Sequence, residues 1–440
     1  MRTAVANAFY GVLDYVAWPA GMLAVAPVAV RAMGIERYGV WMVANSAISV
    51  GAILASGFSD ANIRYVATQR ASGHHDALCR AVRSTMGIHL TLGSLLAVAV
   101  WLLAPVMTGR LVAANSGLRA DCLGALRLAC LLLLVRALES VCISTQRAFE
   151  RYGPAVRVSA AGRLLSLAGA GIIPLARPSV TAVLVFASGV SLLSLWLQVA
   201  KVARLLDISW VVPAFDREAM RALVGFGKFT WLQALSALLL GQVDRLVIGA
   251  ALGAAAVSSY VMCVQLAQPV YGITAAGFHF LFPRISMQYA RNDERSMRRT
   301  TITAVAVNWI AVAAGTGLLL FFGHWILRAW GGAEIASLGR PVLPIVLCST
   351  AISALSITGS YSMLAMGRVQ LVTWLNVAAS GLMVAAMFRL VPAYGIRGMA
   401  IARLAYGPIT LGVYVPLFLR FVRAQPGAKP AAGAAVLEDA

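Results

Sequence analysis

Along this chain apolar residues collect into long unbroken runs of 19 to 27 residues, separated by short polar or basic breaks. The runs neither alternate nor keep to one helical face, so the pattern is not that of a soluble core. About 20 helical residues cross the hydrocarbon core of a bilayer, where backbone groups find partners only within a helix or a closed barrel. These runs are far longer than barrel strands. The pattern therefore predicts an all-α integral membrane protein of about 12 transmembrane helices. They lie near residues 8–30, 39–58, 84–107, 121–143, 158–176 and 179–200, then 228–250, 255–281, 301–323, 341–365, 370–391 and 399–421.

The breaks repeat. Between the first two runs the segment Met33-Gly34 to Tyr38-Gly39 predicts a tight corner, and Ser59-Asp60-Ala61-Asn62 predicts an exit into an arginine-rich amphipathic segment. Later, Leu252-Gly253 is followed by Tyr260 and by an exit through Phe282-Pro283-Arg284 to Arg291. Gly34 and Gly253 are 219 residues apart and Arg70 and Arg291 are 221 apart, close to half of the 440 residues. Such a period predicts two six-helix bundles around a central cavity, as in transporters with parallel repeats. The bundles would span 1–200 and 228–421. A cytoplasmic linker at 201–227 would join them, and a disordered tail would follow at 422–440.

Composition agrees: 60% of residues are hydrophobic and 12% charged, about half the charged share of a soluble domain. A net charge of +20 would suggest nucleic acid for a soluble protein. Here it reads as sidedness, because basic residues gather on the cytoplasmic side of membrane proteins. With the N-terminus inside, the inner breaks carry twenty-two Lys and Arg against ten outside, which predicts that both termini are cytoplasmic. The bilayer is then the first partner, and no nucleic acid is expected. Basic segments 64–83 and 284–300 are expected against the anionic inner leaflet. Ala24-Val25-Ala26 imitates a signal-cleavage site, but Pro27 follows and the run is of spanning length, so an uncleaved first helix is expected.

Six cysteines have no paired spacing, and no His, Cys or carboxylate cluster has metal-ligand spacing. There is no phosphate loop, nucleophile elbow or zincin motif. A transporter with no cofactor or metal is expected rather than an enzyme.

Charges inside the runs are the candidates for chemistry, because each costs about 2.5–3.5 kcal/mol at mid-membrane even on the lenient scale. They are Asp14, Arg127, Arg136, Glu139, Arg163 and Arg403, with Asp244 near the outer end of run seven. Arg136 and Glu139, three residues apart, read as a self-neutralising structural pair. Arg127 and Arg163 either snorkel to an interface or line a cavity. Asp14, one turn from Tyr10 and Trp18 and ahead of Pro19, is either an ion-coupling acid or a solvated one. Asp244 and Arg245 read as a local ion pair or cap at the corner between runs seven and eight. Arg64, inside the exit of run two, either meets an anion as it enters or anchors the helix. Asn45, Gln233, Gln265, Gln268 and Tyr271 supply amide and aromatic groups that either join helices or form a polar path.

Met33-Gly-x-x-x-Tyr38-Gly39-x-Trp41, the Asp60…Arg64 exit and Asp244-Arg245-x-x-Ile248-Gly249-x-x-Leu252-Gly253…Tyr260 carry a resemblance over residues 8–421. The chain resembles the polysaccharide branch of the multidrug/oligosaccharidyl-lipid/polysaccharide exporter superfamily, which includes the O-antigen and exopolysaccharide repeat-unit flippases. That resemblance implies a bacterial inner-membrane protein that moves undecaprenyl-pyrophosphate-linked oligosaccharide to the periplasmic leaflet by alternating access. Polysaccharide polymerase and chain-length proteins would be its partners. Arg64 would then meet the pyrophosphate and Asn45, Gln265 and Gln268 the sugars, while Pro19, Pro27 and Pro269 allow bending. A cation-coupled multidrug or small-molecule antiporter of the same superfamily, using Asp14, is the alternative. A membrane glycan polymerase or ligase is a more remote one, since the outer breaks are short.

Overall fold

The computed structural model describes residues 20–114 and 116–423. Expectations for Asp14, Pro19 and the C-terminal tail lie outside the described residues, and the side chain of Gln233 lies outside the described side chains. Among the described residues the chain is helix and connecting turn, with no strand. The arginine-rich end of the helices is termed inner, by the sidedness of basic residues.

Helix α1 (Ala20–Met33) meets α2 (Ile35–Ala71) at Gly34. Far along the chain α8 (Val243–Leu252) meets α9 (Ala254–Gly277) at Gly253. The two glycines have nearly the same backbone, φ +82°, ψ 166° and φ +85°, ψ 177°. A side chain would clash in that conformation, so only glycine holds it without strain. The sequence correspondence over half the chain thus reappears as geometry. The first corner is one residue, however, and not the stretch to Gly39. Tyr38 and Gly39 already lie within α2.

Nor does α2 break at Asp60. It runs on to Ala71 because Asn62 is fully buried and satisfied by neighbouring helices. The Asn62 amide donates to Ser144 Oγ (2.8 Å) and Thr145 Oγ1 (3.0 Å), and its oxygen accepts from Thr85 (3.1 Å). The segment 64–83 is accordingly the end of α2, a turn at 72–74 and the start of α3 (His75–Leu111). There follow α4 (Arg119–Ala148), α5 (Tyr152–Ala176) and α6 (Val180–Leu205). Asp121 caps α6, accepting from Ser179 Oγ (2.6 Å) and the Val180 and Thr181 amides (2.9 and 3.0 Å).

The irregular stretch between α6 and α7 (Arg217–Gly241) is 206–216, shorter than the 201–227 read from the sequence, because Lys201 still belongs to α6 and Arg217 opens α7. It lies along the inner end of α3. Arg83 Nε donates to Val212 O (2.9 Å), and the Ala214 amide donates to Arg83 O (3.1 Å). The Asp216 amide donates to Ser84 Oγ (3.1 Å).

Helix α7 breaks at Gln242 before α8. After α9 come α10 (Leu281–Ala290), α11 (Glu294–Gly339), α12 (Leu343–Ala365), α13 (Val369–Leu404), α14 (Tyr406–Leu411) and α15 (Tyr414–Arg423). Among the described residues, eight helices or joined helices are long and apolar enough to cross a membrane. One of them, 369–421, folds back at Gly395 (φ +57°). Tyr406 Oη donates to Asn376 Oδ1 at 3.0 Å, although a straight helix would separate those residues by about 45 Å. It therefore holds two crossings. With α1, α4 and α7–α8, the crossings come to twelve, as the apolar runs predict.

Before the link, α4 packs between α2, α3 and α6, with α5 against α6. After it, α9, α11 and α12 pack together, with α13 on α12. The two sets meet where α2 touches α7, α8 and α9, and where α3 touches α7 and α8.

Candidate functional site: intramembrane cations and a hydroxyl-lined cavity

At the outer end the two sets of helices are tightly closed. Ser258 Oγ donates to Ile35 O, and a Cβ on Gly39 would stand 1.9 Å from Ala254 O. Only a glycine lets α2 and α9 approach that closely. Tyr38 Oη donates to Gln265 Oε1 (3.3 Å), so Gln265 bridges α9 to α2. Arg31 of α1 donates to Ala329 O of α11, and Trp330 Nε1 donates to Leu23 O (3.1 Å). Further along, α7 lies on α2, and Trp231 Nε1 donates to Leu54 O (3.1 Å).

The intramembrane charges fall into three environments. Arg136 on α4 lies within electrostatic reach of Glu139 and of Arg163 on α5. Glu139 is buried and accepts from Ser194 Oγ of α6 at 2.6 Å. Arg136 is 12 residues from the inner end of α4 and Arg163 is 11 from that of α5. At 1.5 Å per residue both lie about 16–18 Å along the helix from that end, near the middle of α4 and of α5. Sequence reading paired Arg136 with Glu139 alone; the structure also brings Arg163 of α5 within electrostatic reach of Arg136, so two guanidinium groups lie near each other, with the buried carboxylate of Glu139 beside Arg136.

Arg127 belongs elsewhere. It is exposed and lies 4.8 Å over the exposed ring of Trp101, the arrangement of a snorkelling arginine.

The expected Asp244–Arg245 pair is replaced by a longer-range one. Asp244 is 1% exposed; its Oδ2 pairs with Arg403 Nη1 of α13 at 3.1 Å and accepts from Tyr260 Oη at 2.9 Å. Arg245 instead donates its amide to Asp244 Oδ1 (2.8 Å) and its guanidinium to Gln242 Oε1 (3.3 Å). Arg403, without an acid near it in sequence, finds one 159 residues away.

Among the uncharged candidates, Asn45 turns back on its own helix, donating to Trp41 O at 2.8 Å. Gln268 is half-buried on α9. Tyr271 lines a cavity of about 250 Å³ with Ser236, Ser353, Ser356, Ser360, Tyr361, Asn376 and Tyr406, a lining rich in hydroxyl groups and without charge. Sequence reading singled out Tyr271 but missed the serines of α12, because they are spread over an apolar run and resemble ordinary small helix-packing residues. The one available signal was their spacing, with Ser353, Ser356 and Ser360 on one face of the helix. Arg64 is exposed near the inner end of α2, on the same face as Asp60, Ala67 and Thr68.

Over residues 28–328 the sequence matches the family model described as polysaccharide biosynthesis protein. No curated protein sequence matches it. Two similar structures are an inward-facing multidrug resistance MATE family transporter of the MOP superfamily and the lipid II flippase MurJ in an inward closed conformation. The first is 13% identical over 94% of each chain, TM-score 0.71. The second is 12% identical over 95% of this chain and 89% of that one, TM-score 0.72. An outward-facing MATE family transporter, 13% identical over 94% of this chain and 93% of that one, overlays less well, TM-score 0.55. The chain thus belongs to the polysaccharide biosynthesis protein family and has the fold of the MOP superfamily transporters.

Proposed function

We propose that this chain is a flippase for undecaprenyl-pyrophosphate-linked oligosaccharide repeat units, moving them from the cytoplasmic to the periplasmic leaflet of a bacterial inner membrane for surface polysaccharide assembly. The observation that carries the reading is the pair Arg136 and Arg163, two mid-helix guanidinium groups within electrostatic reach of each other, with Glu139 beside Arg136. A pyrophosphate entering a dry cavity needs guanidinium partners, and guanidinium matches phosphate geometry better than ammonium does. In this reading Arg64 meets the head group at the inner mouth. Arg136 and Arg163 hold it at mid-depth, and the hydroxyl cavity around Tyr271 and Ser356 takes sugar. The sets of helices before and after the link act as two bodies, with both termini in the cytoplasm. The tight outer seam and the better overlay on an inward-facing transporter support an inward-facing state. Polymerase and chain-length proteins would receive the product.

The test is the level of prenyl-pyrophosphate-linked repeat units in cells deleted for the gene, with surface glycan scored alongside. Trapped intermediate and lost surface glycan are expected, restored by wild type. Arg136→Ala and Arg163→Ala are expected to restore export poorly, by about tenfold or more for a lost charge-assisted phosphate contact, and the lysine variants partly. Normal glycan without trapped intermediate, together with cation-coupled drug efflux from vesicles, would instead assign a multidrug antiporter.

A further inference from the structure

A second cavity, of about 780 Å³, lies outside the regions just described, at the inner end between α9, α10 and α11. That volume falls within the range of small-molecule sites, about 300–1,000 Å³. Its composition is graded along the membrane normal. At the inner lip stand Arg284 of α10 and Arg299 of α11, both exposed. Above them the wall is apolar and open to the membrane: Ile273 is 74% exposed and Val307 51% exposed, with Ala311 beyond. From Arg299 to Ala311 is 12 residues of continuous helix, about 18 Å. That is the span from a head group to the interior of one leaflet.

The neighbouring acids are already engaged. Glu294 accepts from Arg420 Nε at 3.1 Å, and Asp293 Oδ1 accepts the Ser296 amide at 3.0 Å as the cap of α11. No Asp or Glu lines the cavity. Within the lining, Gln288 Nε2 donates to Thr300 Oγ1 at 3.0 Å and ties α10 to α11. The lip therefore offers two cations to an anion and no carboxylate to an ammonium group.

We propose that this groove is a binding site for an anionic phospholipid of the inner leaflet. Its phosphate bridges Arg284 and Arg299, and an acyl chain lies along Ile273, Val307 and Ala311. The charge of the lip favours a head group with net negative charge, such as phosphatidylglycerol, over the zwitterionic phosphatidylcholine. The proposal does not depend on what the transporter carries, since the groove is separate from the Arg136–Arg163 cluster. It gives the α9–α11 region a lipid co-factor in place of a protein partner.

Native mass spectrometry of the purified full-length protein, offered equal phosphatidylglycerol and phosphatidylcholine, tests it. Two head-group arginines predict a preference for phosphatidylglycerol of about tenfold or more. Arg284→Ala with Arg299→Ala should abolish that preference while leaving the melting temperature in phosphatidylcholine unchanged. The lysine pair should keep most of it. Arg291→Ala with Arg295→Ala, equal in charge lost but not part of the lining, should keep all of it. Val307→Trp, which fills the apolar wall without touching charge, should lower lipid occupancy and carries the test if the alanine pair does not fold. Undiminished preference in the Arg284/Arg299 pair would overturn the site. So would equal loss in the Arg291/Arg295 pair, which marks diffuse attraction, or displacement of phosphatidylglycerol by a polyprenyl diphosphate at equal concentration, which marks a substrate entrance.

Discussion

At the scale of single residues, the most consequential polar contact among the described helices is between Asp244, Arg403 and Tyr260. Removing one side of a buried ion pair leaves the other charge uncompensated, at about 3–5 kcal/mol, whereas replacing both sides by apolar groups is often neutral. Asp244→Asn is therefore expected to lower thermal stability in detergent markedly. Asp244→Leu with Arg403→Met should recover most of the loss; a melting series of the three proteins checks this. The sequence showed that Asp244 and Arg403 were both out of place in an apolar run, but not that each was the other's answer. Adjacency suggested Arg245, and only the fold back of the chain at Gly395 brings α13 within reach. Arg163 was legible as an intramembrane charge, yet its nearness to Arg136 depends on how α5 lies beside α4. Side-chain contacts between distant spans leave no periodic trace.

At the scale of helices, sequence reading placed the crossings well among the described residues, since each apolar run from 39 onward coincides with a helical passage and length alone decides that assignment. It misjudged where helices end. The polar stretch Ser59 to Asn62 reads as the end of a helix, while Asn62 is buried among Ser144, Thr145 and Thr85 and the helix runs on for three more turns. A polar residue reads as exposed until its partners are known. The outer seam gives a sharper prediction. Gly39→Ala would put a methyl group into the Ala254 carbonyl, so α2 and α9 must part at that end. Val257, fully buried in the closed seam, should become reactive as Val257→Cys. Labelling from outside by an impermeant thiol reagent should rise about tenfold over the same cysteine beside Gly39, the size expected when a seam worth 1–2 kcal/mol is lost. Unchanged labelling would mean that α9 yields locally and the seam stays shut. Gly253→Ala, by contrast, acts through its positive φ and should cost about 1–2 kcal/mol of stability.

At the scale of the whole molecule, the link at 206–216 is docked on α3 rather than hanging free. A protease site built into Val212–Phe215 should therefore be cut slowly. Arg83→Ala, which removes the bond to the Val212 carbonyl, should speed cleavage by about an order of magnitude if it frees the strap locally; the rate at low protease concentration reads this directly. The consequence reaches further than the strap itself. Asp216 is held on both sides: its amide by Ser84 of α3, its carboxylate by the Ala219 amide of α7 and, at 3.9 Å, by Arg80. A joint fixed so close to both levers allows rotation but little translation. Anything that swings the later helices must turn them about the inner rim at α3, like a door on its jamb. Any opening between the two sets of helices then lies on the far side, away from the strap.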